Sequence, residues 1–161
     1  NIFEEVYPVI NISKGIEKPF NDASVKVVSS FYDYKEENHE NSIIYYENTY
    51  MPNTGVIYKG DNTFECLAIY EGEVVKLEED EIMGTIVTIK HDENIMSIYG
   101  SLQNVKVKEG DIVNKMDVIG EAGKNNLSSS LGEHLHFELI VNGKNVDPEK
   151  NYGKTLVELN K

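Results

Sequence analysis

Leu131-Gly132-Glu133-His134-Leu135-His136-Phe137-Glu138-Leu139-Ile140-Val141 carries two histidines two residues apart inside a run of β-favouring side chains. In a strand, side chains alternate between faces, so His134 and His136 share one face and Leu135 and Phe137 the other. Two imidazoles converging from one strand can place one on a metal and leave the other beside a substrate. The same pattern fits a half-buried strand with two hydrogen-bonded histidines. The pair alone therefore decides no chemistry.

Working outward, residues 124–130 form a loop of mainly Lys, Asn and Ser ahead of this strand. Asn142-Gly143 behind it is a two-residue hairpin signal, and Val146-Asp147-Pro148 closes the sheet. Upstream, residues 84–90 and 95–99 alternate around a turn at His91-Asp92-Glu93-Asn94, a hairpin pattern in which His91 reads as a solvated turn residue. Residues 24–31, 43–50, 56–58, 63–70 and 74–77 also read as strands. Met51-Pro52-Asn53-Thr54-Gly55 is expected to turn the chain, and Lys59-Gly60-Asp61-Asn62 to make a hairpin-type turn. Residues 32–42 form a polar loop with a solvated His39, and the acidic run Glu78-Glu79-Asp80-Glu81 is expected to solvate another loop. Shorter apolar pieces at 105–107, 113 and 118–120 follow. Only residues 154–159 suggest a helix, and a short one. Many short strands with turns between them predict a mostly β protein built of antiparallel sheets.

The chain has 161 residues, enough for one domain with a real core. The division expected is an N-terminal extension over 1–24, a β-domain over 25–150 and a C-terminal tail over 151–161. Twenty-eight acidic residues against 15 basic ones give a net charge of −13, and every basic residue is a lysine. Without arginine forks, and with a field that repels polyanions, nucleic-acid binding is excluded. One cysteine, Cys66, rules out an internal disulfide, and its place in an alternating run predicts a buried thiol. No apolar run reaches membrane length and no signal sequence is visible from Asn1 onward. The absence of such segments here leaves an upstream anchor or signal open and says nothing about the native compartment.

Taken as an ordered series from about residue 25 to 148, these segments resemble the lysostaphin/LytM family of zinc metallopeptidases, which cut peptide cross-links of bacterial cell wall. Val105-Lys106-Val107-Lys108-Glu109-Gly110-Asp111, Val118-Ile119-Gly120 with Gly123, and Gly132-Glu133-His134-Leu135-His136-Phe137-Glu138 carry the likeness. The resemblance implies that family's fold. It also implies five active-site positions, three of which have changed here. A zinc histidine and aspartate fall at Asn53 and Ile57 of Asn53-Thr54-Gly55-Val56-Ile57. A catalytic histidine falls at Ser101 of Tyr99-Gly100-Ser101-Leu102. His134, in the family's other catalytic position, and His136, in its remaining zinc position, persist as relics. A catalytic zinc needs three protein ligands and an open position, so the expectation is a pseudoenzyme with no metal and no cofactor. Two alternatives stay open: a zinc hydrolase rescued by Asp61, Glu133, Cys66 or His39, and a cell-wall-binding module lined by Tyr45, Tyr46 and Tyr50.

A narrower resemblance rests on Asn48-Thr49-Tyr50-Met51-Pro52-Asn53-Thr54-Gly55 together with Tyr99 and Ser101. It is to the stage II sporulation protein Q family of endospore-forming bacteria. It implies a forespore protein anchored by one amino-terminal helix, with this domain in the space between forespore and mother cell. It also implies a partner of the stage III sporulation protein AH type, with which it would form a zipper or channel, as a higher-order ring, during engulfment. The binding residues are not specified by any motif.

Overall fold

The structure, a computed structural model, describes residues 14–161; residues 1–13 of the expected extension lie outside them. Twelve strands are present among the described residues: β1 (Lys26–Ser29), β2 (Ile43–Tyr46), β3 (Thr49–Pro52), β4 (Val56–Lys59), β5 (Glu65–Leu67), β6 (Gly72–Asp80), β7 (Gly84–Lys90), β8 (Ile95–Gln103), β9 (Ile112–Val113), β10 (Val118–Ala122), β11 (Leu135–Val141) and β12 (Lys144–Val146). Ten form one sheet with the path β1-β4-β11-β8-β7-β6-β9; β10 joins β8 to β5, and β12 hangs on β11. β2 and β3 form a separate hairpin. Every strand pairing is antiparallel, as expected of short strands joined by tight turns.

The alternating segments bury one face. Ile95, Ser97 and Tyr99 of β8 point into the core beside Leu135, Phe137 and Leu139 of β11 and Val87 and Ile89 of β7. Tyr99 and Phe137 meet edge to face at 5.1 Å, an arrangement worth about 0.5–1.5 kcal/mol beyond the area buried. The Tyr99 hydroxyl is not stranded in this core: it accepts the Ile69 N–H at 3.0 Å. Cys66 is fully buried, as expected, and burial pushes its thiol well up.

β11 lies between β4 and β8, and its approach to β4 demands a residue without a side chain. A Cβ on Gly55 would stand 2.2 Å from the Phe137 carbonyl oxygen. The ends of the described chain meet: Ile16 donates to Lys154 and Gly153 to Ile16, and Ile16 is fully buried. Tyr152 reaches the Tyr58 hydroxyl at 2.5 Å, and Tyr58 also donates to Glu149 at 2.7 Å. Among the described residues the α-helix is α1 (Leu156–Leu159), which starts at Thr155 with a capping box to Glu158.

Several expectations are corrected. Residues 43–50 are not one strand: the chain turns at Glu47 and Asn48, both at positive φ, so β2 and β3 form a two-residue hairpin without the usual glycine. Residues 59–62 do not join a hairpin, because β4 pairs with β1 and β11 while β5 pairs with β10. The run 78–81 is not all loop. Glu78, Glu79 and Asp80 extend β6, held by cross-strand pairing to Ile86, Thr85 and Gly84.

Candidate functional site

Strand register brings the singled-out residues together. His136 on β11 lies opposite Ile57 on β4 and Gly100 on β8. Ser29 on β1 lies opposite Ile57 and accepts from the Asn53 side-chain amide at 3.0 Å, so Asn53, Ile57 and His136 meet at one place. Ser101 and His134 join them through Gly123. The Ser101 hydroxyl donates to the Gly123 carbonyl at 2.9 Å, and the His134 N–H donates to the same carbonyl at 2.8 Å. Ser101 has φ of 65°, an uncommon conformation for a residue with a side chain.

Each side chain here is committed to structure. Asn53 is fully buried. Its amide nitrogen donates to Ser29, and its amide oxygen accepts the Gly55 N–H at 3.0 Å, fixing the turn into β4. Ile57 is buried with Ile44 and Leu127 in a small apolar cluster, flanked by Val28, Met83 and Leu131. Above it lies only a shallow groove of about 190 Å³ with Ile43 and Tyr45 on its wall.

The two imidazoles are buried. His134 Nδ1–H donates to the Gly132 carbonyl at 2.8 Å, which leaves its buried Nε2 without a partner. Burial holds this imidazole below its usual titration range against the opposing pull of that carbonyl. His136 Nε2–H donates to Glu138 at 2.9 Å, and its buried Nδ1 has no partner. Burial alone would raise the Glu138 carboxyl, but hydrogen bonds from His136, Thr54 and Asn145 hold it below its ordinary value. That carboxylate ties the turn before β4 (Thr54, 2.8 Å) and β12 (Asn145, 2.9 Å) to β11.

Glu138 is the residue that motif reading passed over. It stands two residues after His136, on the same strand face, and the period of two was the signal that would have found it. The apolar cluster was less visible, since Ile44, Leu127 and Met83 come from three separate segments.

These residues do not suit a zinc ion. Ile57 has no lone pair and both polar groups of Asn53 are engaged, so only His136, whose Nε2–H is held by Glu138 while Nδ1 has no partner, still offers a donor. Among the described residues no group of three or more His, Cys, Asp or Glu side chains is placed to hold a metal. The rescue candidates have other surroundings. Glu133 accepts from Gln103 at 2.7 Å, and Asp61 is exposed, its N–H donating to Ser24. Cys66 lies in the main core. His39 is stacked on Tyr32 at 4.3 Å and only partly exposed, which corrects its expected solvation. His91 is corrected likewise: its ring bonds the Glu71 carbonyl at 2.9 Å and the Ser97 hydroxyl at 2.8 Å, pinning the β7–β8 turn to the start of β6.

Residues 51–148 match the profile of peptidase family M23. Stage II sporulation protein Q of Bacillus subtilis (strain 168) is 35% identical over 147 residues, 86% of this chain. The chain spans about half, 52%, of that relative's length. Among solved structures, a chain of the SpoIIQ–SpoIIIAH pore-forming complex superposes with a TM-score of 0.87 at 31% identity, covering 93% of this chain and 98% of that one. A chain from a second structure of a SpoIIIAH and SpoIIQ complex gives 0.80 at 33% identity, over 84% of this chain and 99% of the other.

Proposed function

The chain belongs to peptidase family M23, and from that premise we propose that it is a non-catalytic member whose domain binds a partner protein of the SpoIIIAH type. The observation that carries this is the chemistry at Asn53 and Ile57: a spent amide and an isoleucine stand where the family resemblance calls for two zinc ligands. Losing one hydrogen-bonded neighbour of a metal ligand already costs roughly 10–100-fold in affinity, and the loss of two ligands removes the site. The likeness to chains from SpoIIQ–SpoIIIAH complexes over nearly the whole domain supports the partner.

In this proposal the domain faces the space between forespore and mother cell and joins a zipper or channel during engulfment. The expected amino-terminal membrane anchor is part of the same proposal; no helix among the described residues is long and apolar enough to cross a membrane. The division into extension, β-domain and tail at about 24 and 150 is retained as a working boundary. His134, His136 and Ser101 are assigned no catalytic role.

The test is binding of the purified chain to the soluble domain of its SpoIIIAH-type partner, run beside elemental analysis for zinc. Expected are a Kd of about micromolar or tighter, no stoichiometric zinc after dialysis against it, and unchanged binding by His134→Ala and His136→Ala proteins that remain folded. One zinc per chain with chelator-sensitive peptidoglycan cleavage would overturn the proposal. The wall-binding reading has one feature in its favour, the exposed and mutually packed Tyr45 and Tyr50, whose rings lie 4.8 Å apart, with Tyr45 on the wall of the groove. Retention on peptidoglycan without partner binding would transfer the assignment to it.

A further inference from the structure

β6 is nine residues long, and β7 pairs with it from Glu73 to Asp80. Its other edge is covered only at the start. Gly72 and Glu73 pair with β9, and Val74 donates to Asp111 and accepts from Gly110, both at 2.8 Å. An irregularity between Val74 and Lys76 then leaves Val75 as an extra residue and resets the ladder. From there the antiparallel alternation turns the backbone groups of Leu77 and Glu79 outward. The Leu77 N–H agrees with this phase, since it donates to the Glu109 carboxylate at 3.0 Å rather than to a strand. The Leu77 carbonyl and both backbone groups of Glu79 have no backbone partner among the described residues. Over the adjoining sheet face, from β6 across β7 to the end of β8, lies a groove of about 420 Å³, with Leu77 and Val105 as its apolar part and Glu78, Glu79, Thr85, Gln103 and Asn104 around them.

We propose that the outer edge of β6 at residues 77–79 receives an extended, lysine- or arginine-bearing strand of the partner protein, added antiparallel or parallel to the sheet by main-chain hydrogen bonds. The proposal rests on the partner-binding function above and locates its contact. Edge strands are templates for pairing, and side chains at the edge decide what is admitted. Here the guards are acidic: Glu78, Glu79, Asp80 and Glu81 follow one another, and Lys76 is already paired with Glu78 at 2.9 Å. A second copy of this chain would bring the same charges to the edge and be repelled. A basic strand meets opposite charge on its flanks and apolar surface at Leu77 and Val105. The other edges offer less. Pro19 already accepts from Leu67 on β5, and β3 ends in Pro52.

Two variants test the edge. Glu79→Pro removes an N–H that β7 does not use, so the β6–β7 ladder is kept while an added strand is blocked. The double variant Glu78→Lys, Glu79→Lys reverses the guarding charge without touching the backbone. Binding of each to the soluble SpoIIIAH-type domain is measured against the unmodified chain, with circular dichroism to establish folding and hydrogen exchange to follow the Glu79 amide. Each folded variant is expected to bind about tenfold or more weakly, and the Glu79 amide of the unmodified chain to exchange more slowly in the complex. If the proline variant does not fold, the lysine variant carries the test. Unchanged affinity in the folded variants, with unchanged exchange at Glu79, overturns the edge assignment and leaves the partner-binding function standing. No binding by the unmodified chain overturns both. Dimerisation of the chain through this edge overturns the choice of occupant.

Discussion

At the smallest scale, Asn53 and Ile57 are committed to structure. The Asn53 amide bridges Ser29 and Gly55, and Ile57 closes an apolar cluster with Ile44 and Leu127. Under the proposed function, Asn53→His with Ile57→Asp should therefore bring zinc binding before any cleavage, because Ser101 still stands where the resemblance places a catalytic histidine. It should also cost stability, since a carboxylate placed among Ile44 and Leu127 is desolvated without a partner until metal arrives. Titration calorimetry with zinc and urea denaturation, with and without the metal, check both parts. Glu138 gives a second prediction. Removing the charge by Glu138→Gln disturbs hydrogen bonds to Thr54, Asn145 and His136 and should cost about 1–3 kcal/mol. The sign with pH follows from linkage. The folded carboxyl sits below its ordinary 4.5, so its contribution is fully present above 4.5 and lost as pH falls from there through the lower folded value. The His134 imidazole is held below its ordinary 6.5, so the unfolded chain takes up that proton first and stability falls as pH drops below 6.5. Urea midpoints should decline from pH 7 toward about pH 3, and the Glu138→Gln protein should lose the part of that decline that lies below 4.5.

At the scale of elements, the β11–β12 hairpin holds Asn145 against Glu138, and its turn depends on Asn142 and Gly143 at φ of 53° and 77°. Asn142→Val forces a β-branched residue into the left-handed region and should cost about 1–2 kcal/mol. In calorimetry this should lower Tm by roughly 2–8 °C, at ~2–4 °C per kcal/mol for a chain of this size. The Asn-Gly pair made this hairpin legible from the amino acids, as alternation did for β7 and β8. The β2–β3 turn was not legible, because Glu47 and Asn48 reach positive φ without a glycine to announce it. The last third of β6 was hidden for a different reason. Glu78, Glu79 and Asp80 have low strand preference and read as solvated loop, but pairing with Ile86, Thr85 and Gly84 outweighs local propensity. The three changed site positions were visible because the motifs around them survive. Glu138 closes the quoted block without a role assigned to it, the apolar cluster belongs to no motif, and only the register of β1, β4, β8 and β11 brings them to the same place.

For the whole molecule, the dominant physical fact is a net charge of −13 on 161 residues without arginine. A surface charged in this way acts mainly on encounter. Long-range attraction raises the rate at which a basic partner arrives, and at physiological salt exposed charges are screened beyond about 8 Å. Once a strand is seated on the sheet, main-chain hydrogen bonds and apolar contacts at Leu77 and Val105 hold it, and these respond little to salt. The association rate with a SpoIIIAH-type domain should therefore fall by about tenfold or more between low and high ionic strength, toward the 10⁵–10⁶ M⁻¹s⁻¹ of uncharged surfaces. The dissociation rate should change far less. Surface plasmon resonance or stopped-flow fluorescence across a salt series separates the two rates. A dissociation rate that climbs as steeply as the association rate falls would mean that ion pairs, rather than an added strand, hold the complex together.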